Sequence, residues 1–93
     1  MNKREFRKGD IVKHFKRELC TEEELALNMY IYRIDNFAIH TETLEEMIVY
    51  TALYGDFRTY TRPKDMFMSE VDHEKYPDIK QKYRFELLNV KGE

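Results

Sequence analysis

The segment Met47-Ile48-Val49-Tyr50-Thr51-Ala52-Leu53-Tyr54 constrains this chain more than any other. It carries no charge, is rich in β-branched and aromatic residues, and is largely apolar on both faces, which is the pattern of a covered strand. The turn Gly55-Asp56 closes it. The segment predicts a central strand over 47–54 with Val49 and Leu53 buried. At 93 residues the chain is one domain over 1–93. Such a domain buries roughly 60–70% of its unfolded surface, enough for a single core. A ligand is therefore expected on a groove or a barrel mouth rather than in a deep cavity.

The flanking pattern supplies partners for that strand. Gly9-Asp10 leads into a first strand, Ile11 to Phe15. Thr21 to Asn28 predicts a short helix with Thr21 as N-cap and Glu24 as its capping-box partner. Met29 to His40 predicts a long strand in which Tyr30, Tyr32 and Ile34 share one face. Phe37 and Ile39 carry the apolar phase after Asp35-Asn36, and a one-residue change of phase there predicts a β-bulge. His40 to Glu46 turns the chain. A fourth strand runs from Phe57 to Arg62 and stops at Pro63, which has no N–H to donate. Lys64 to Met68 reads as a helical turn or short strand, 72–82 as a polar loop with a helical turn, and Tyr83 to Leu88 as a last strand. The fold class is mainly β, with about five antiparallel strands and one or two short helices. Closure into a barrel, SH3-like or OB-like, would remove exposed edges.

Aromatic residues make up 14% of the chain, which argues for an ordered core although 37% of the residues are charged. The net charge of −2 gives no global reason to expect nucleic acid. Basic residues dominate from Lys3 to Arg17, whereas Ile34 to Phe57 contains no Lys or Arg and five carboxylates. Cys20 is the single cysteine, so an internal disulfide is excluded and a reducing compartment is expected. The first residues lack a signal peptide's apolar stretch, and no apolar run approaches the ~20 residues that cross a bilayer. The expected location is cytoplasmic, with no membrane partner and no cofactor.

The series Gly9-Asp10-Ile11-Val12-Lys13-His14-Phe15-Lys16, then Ile39-His40-Thr41-Glu42-Thr43, then Val49-Tyr50-Thr51-Ala52-Leu53-Tyr54-Gly55-Asp56, followed by Arg62-Pro63 and Met66-Phe67, resembles domain-of-unknown-function family 1653. The likeness runs over 9–85. It implies a small SH3-like barrel of bacterial origin and no particular activity. Against the family pattern, 18–28 is an acidic insertion, 72–82 is longer, and Tyr60-Thr61 stands where a Trp often precedes the Arg-Pro pair.

Three sets of residues are candidates for function. His40 and Glu42 form a His-x-Glu pair at a strand end, where both side chains leave on one face. With His14, Tyr54 and Arg62 they make a polar cluster at one end of the barrel, able to hold a small anionic ligand, or else His40 and Glu42 simply fix a turn. The second set is the tyrosines Tyr30, Tyr32, Tyr50, Tyr54 and Tyr60, either core or a recognition groove, with Arg62 and Arg84 as the cations that offset the acidic middle of the chain. His14, His40, His73 and Cys20 are too scattered for a metal site. Third, Cys20 stands beside a helix start that lowers a thiol pKa, but Glu22, Glu23 and Glu24 oppose this. The expected function is a binding or adaptor module with no catalytic residue, using the groove around His14, His40, Glu42, Tyr50, Tyr54 and Arg62. The alternative is a minor enzyme, or a small-anion binder, using His40, Glu42 and Arg62. The partner is an unidentified protein or a small anionic ligand.

Overall fold

The computed structural model describes residues 5–88. The apolar segment forms β3, Glu46–Ala52, an interior strand with Ile48, Tyr50 and Ala52 buried on one face. Val49 and Leu53 are only half-buried, contrary to expectation. The pleat turns the even positions to the core, so Val49 lies on the outer face between Asn36 and Thr61, and Leu53 falls beyond the strand end.

Four strands join β3 in one antiparallel sheet: β1 Ile11–His14, β2 Ile31–Ile39, β4 Thr59–Pro63 and β5 Phe85–Leu87, in the order β4-β3-β2-β1-β5. Ile34 pairs with Tyr50 and Asn36 with Val49, so Asp35 is the extra residue of a bulge. The bulge returns Phe37 and Ile39 to the face of Tyr32 and Ile34. Arg33 and Thr51 both donate to the Asp35 carboxylate, and Thr51 also meets Thr59 at 2.8 Å. Burial works against the Asp35 charge, yet these hydrogen bonds outweigh it and hold the carboxyl below its ordinary pKa.

The core contains Val12, Tyr32, Ile34, Ile48, Tyr50, Ala52, Phe67 and Phe85. Phe67 comes from α2, Lys64–Phe67, which starts directly after Pro63. Its ring stacks on Phe85 with centroids 3.9 Å apart. Phe85 lies on an edge strand yet meets Tyr50 of the interior strand β3 at 5.6 Å. The sheet is therefore curled, but it is not closed: β4 and β5 meet through side chains, with the Arg62 guanidinium 5.6 Å from the Phe85 ring centre. The expected barrel is an open one.

A 3-10 turn, Phe15–Leu19, follows β1, and α1, Glu22–Ala26, follows that turn. The Thr21–Glu24 capping box is formed in both directions, and no residue of α1 is buried. Segment 69–84 is more than a polar loop. Val71 N–H donates to Lys82 O and Arg84 N–H to Ser69 O, making an irregular hairpin. Its Val71 and Ile79 bury against Phe15 in a second small core flanked by Tyr76. Buried Gln81 donates through its side-chain amide to the carbonyls of Lys13 and Tyr83. The Glu18 carboxylate accepts the backbone N–H groups of Lys80 and Gln81 at 2.8 and 2.7 Å. Among the described residues, no helix is long and apolar enough to cross a membrane.

Candidate functional site

His14 ends β1 opposite Phe85, and its backbone N–H donates to Tyr30 O. Its Nδ1 accepts the Lys16 N–H at 3.1 Å, capping the 3-10 turn. Nδ1 being an acceptor, the neutral ring carries its proton on Nε2. The ring packs beside Phe15 at 4.4 Å and against the edge-on ring of Phe85 at 4.9 Å. Burial, followed by the charges of Arg62, Lys16 and Arg84, lowers the His14 pKa to about 4. At neutral pH His14 is thus an uncharged hydrogen-bond donor held among cations.

Those cations line a cleft of about 290 Å³ with His14: Lys16, Arg62, Lys75 and Arg84, together with Asp72, Phe15 and Tyr76. Three parts of the fold place them. The 3-10 turn brings Lys16. The Arg62–Ile48 pairing sets Arg62 on the inner face, over Phe85. Segment 69–84 brings the rest, held by its own core and by Glu18 and Gln81. Among the described residues the ion pairs are Arg33–Asp35 and Lys64–Glu46, and neither touches the cleft. Asp72, its only carboxylate among the described residues, accepts the N–H groups of Glu74 and Lys75.

The structure brings together two of the residues singled out in the sequence, His14 and Arg62. Tyr50 is 4% exposed and belongs to the core. Tyr54 is half-buried; its hydroxyl meets that of Tyr32 at 2.8 Å, and its ring packs 5.9 Å from Tyr30, which flanks His14. Burial and then the bond to Tyr54 push the Tyr32 phenol well above its usual range. His40 and Glu42 lie in the β2–β3 turn and do not line the cleft. There the His40 Nδ1 accepts the N–H groups of Glu42 at 3.1 Å and Thr43 at 3.3 Å. The Cys20 thiol is pushed up, first by burial and then by Glu24.

The family model described as Protein of unknown function (DUF1653) matches residues 10–87. The chain belongs to this family. No curated protein and no solved structure matches it. In this DUF1653 chain two of the segments that carry the resemblance, Gly9 to Lys16 and Arg62-Pro63, both reach the cleft, through His14, Phe15 and Lys16 and through Arg62. Sequence reasoning does not connect Asp72, Lys75 and Tyr76 with His14, because they stand far from it in the chain and share no local spacing; Lys16, two residues from His14, has no pattern that marks it as facing a cleft. Arg84 was recognisable only as a cation near Arg62.

A larger groove, about 430 Å³, lies where β2 and β3 run past the core. Its walls include Phe6, Phe37, Ile39, Met47 and Met68, and its charges are Glu5 and the mutually paired Glu46 and Lys64. It gathers no titratable cluster comparable to the His14 cleft, although it is the roomier of the two.

Proposed function

We propose that this protein is a binding module that takes an anionic group into the cleft around His14. The observation that carries the reading is four cationic side chains facing one shared space, none paired with a carboxylate among the described residues. Gathering like charges is unfavourable in the empty protein, and an entering anion relieves that repulsion while it gains charge-assisted hydrogen bonds. Arginines suit the purpose because their planar fork meets two oxygens at once. Phe85 supports a binding rather than a merely solvated arrangement, since it holds both the Arg62 guanidinium and the His14 ring against rigid strands. The reading favours binding over catalysis because His14 is neutral and uses Nδ1 within its own turn, while Asp72 is tied to its loop.

The test is an ¹H–¹⁵N NMR titration of the full chain with sodium phosphate and, separately, sodium acetate. Concentration-dependent shifts should gather at the amides of His14, Lys16, Arg62 and Arg84. Shifts confined to the β2–β3 turn, or none at all in the millimolar range, would remove the cleft from consideration.

A further inference from the structure

We infer that the cleft is built for a terminal phosphate, the dianion of a phosphomonoester, with the group that bears it lying against Tyr76. The inference rests on the anion-binding reading above and narrows it to one chemistry. Charge is the first reason: four cations stand against the single carboxylate of Asp72, an excess that a carboxylate or a phosphodiester, each a monoanion, leaves largely unmatched. A monoester near neutral pH carries about −1.5 to −2 charges and three strong acceptor oxygens. Donor geometry is the second. Arg62, Arg84 and Lys16 line the cleft from three different elements, and His14, with its proton on Nε2, lines it as a neutral donor; donors supplied from several sides suit a tetrahedral acceptor better than a flat one. Size is the third, because about 290 Å³ holds a phosphoryl group and a small substituent but not a polymer backbone. The uncharged walls are the half-buried Tyr76 ring and Phe15, whose centroids lie 5.0 Å apart. The region from Ile34 to Phe57 carries only acidic charge, which repels the flanking phosphates of a nucleic-acid strand.

Isothermal titration of the full chain at pH 7.5 with phenyl phosphate, dimethyl phosphate and benzoate tests the assignment. Phenyl phosphate should bind at least about tenfold tighter than either monoanion. Its affinity should fall roughly tenfold from pH 7.5 to 5 as the ester takes up its second proton, whose pKa is about 6. The groups facing His14 are Lys16 from the 3-10 turn, Arg62 from β4, and Asp72, Lys75 and Arg84 from segment 69–84, and burial, followed by the charges of Arg62, Lys16 and Arg84, holds the ring's pKa at about 4, below that range. Arg84→Gln should weaken phenyl phosphate roughly tenfold, the effect of one charge-assisted hydrogen bond. Arg62→Gln should do the same, and Lys16→Gln provides the test away from the core should Arg62→Gln unfold the chain through its contact with Phe85. A short phosphoserine peptide distinguishes the source: tighter than phenyl phosphate it points to a protein-borne phosphate, equal or weaker to a small ester. Equal affinity for all three small anions would overturn the phosphomonoester assignment and leave anion binding standing. Absence of binding by every anion would overturn both.

Discussion

Two histidines in this fold make the same local bond and have opposite surroundings. His14 and His40 each end a strand, and each accepts at Nδ1 the N–H two residues ahead, from Lys16 and Glu42 respectively. His40 does so in a turn closed on itself: its N–H donates to Glu45 O, its carbonyl accepts from Leu44 N–H, and Thr43 donates to Glu45. His14 does so among three cations, the neighbouring Lys16 and the distant Arg62 and Arg84, with aromatic rings beside it. The shared motif is a backbone cap, and capping is all that local sequence can encode. What sets the two apart is tertiary: β4 and segment 69–84 converge on one histidine and leave the other alone.

The largest expected effect breaks the difference at its base. Phe85 holds the His14 ring and the Arg62 guanidinium and is 1% exposed. Phe85→Ala should cost about 3–5 kcal/mol in chemical denaturation, the usual cost of emptying a buried aromatic site. Where the variant still folds, amide shifts should change around the cleft and stay unchanged over 40–45. A loss below about 1 kcal/mol would mean that the cleft floor is not part of the core.

The second prediction concerns pH and separates the two rings directly. His14 ionises at about 4 in the folded chain against an ordinary value of 6.5. Between those values the unfolded chain binds a proton that the folded ring refuses, so this contribution is full above pH 6.5 and is lost as pH falls toward 4. The loss is at most ~3 kcal/mol, and solvent at the mouth of the cleft reduces it. Stability measured from pH 7 to 4 should fall less steeply in His14→Gln than in the parent chain. Parallel profiles would show that neither burial nor the cations lower the ring's pKa.

Much of the fold could be read from the residues because its signals are local. The capping box at Thr21 and Glu24, the phase change at Asp35-Asn36 and the stop at Pro63 each depend on a few neighbouring residues, and each is present. Burial along β3 falls one residue out of phase with the expectation: the segment is largely apolar on both faces, so alternation gives little indication of which face is covered. Segment 69–84 looked polar because Ile79 stands alone among charges, and only its contact with Phe15 makes it core. The candidate site was half visible for the same reason. His14 and Arg62 stand out as polar groups at strand ends, but joining them to each other and to Arg84 and Lys75 depends on how the sheet curls, and no spacing in the sequence reports that.

A smaller effect tests the other histidine. His40→Ala removes the acceptor for two turn N–H groups that water can partly satisfy, so the expected cost is about 1 kcal/mol. His40→Asn supplies a side-chain oxygen in nearly the same place and should recover most of it. Anion binding in the cleft should be unchanged in both variants. If either weakened it, His40 would have a connection to His14 that the geometry does not contain.

The smallest effect lies four residues further on. Leu44 sits in the same turn at φ 65° and is 72% exposed, so its side chain gains little from burial while its backbone occupies the left-handed region. That conformation costs an L-residue roughly 1–2 kcal/mol, whereas glycine adopts it freely and gives back roughly 0.5–1 kcal/mol through the greater freedom of its unfolded chain. Leu44→Gly should therefore stabilise the protein by about 0.5–1 kcal/mol. Gly55 provides the mirror experiment, at φ 61° in the turn after β3 with no atom within 4 Å of where a Cβ would stand. Gly55→Ala meets no clash, so only the backbone term acts, and the change should destabilise by about 1 kcal/mol. Opposite signs in the two midpoints would show that backbone conformation governs both turns. A destabilised Leu44→Gly would mean that Leu44 contributes a contact worth more than its strain, and the β2–β3 turn would then depend on more than the His40 cap.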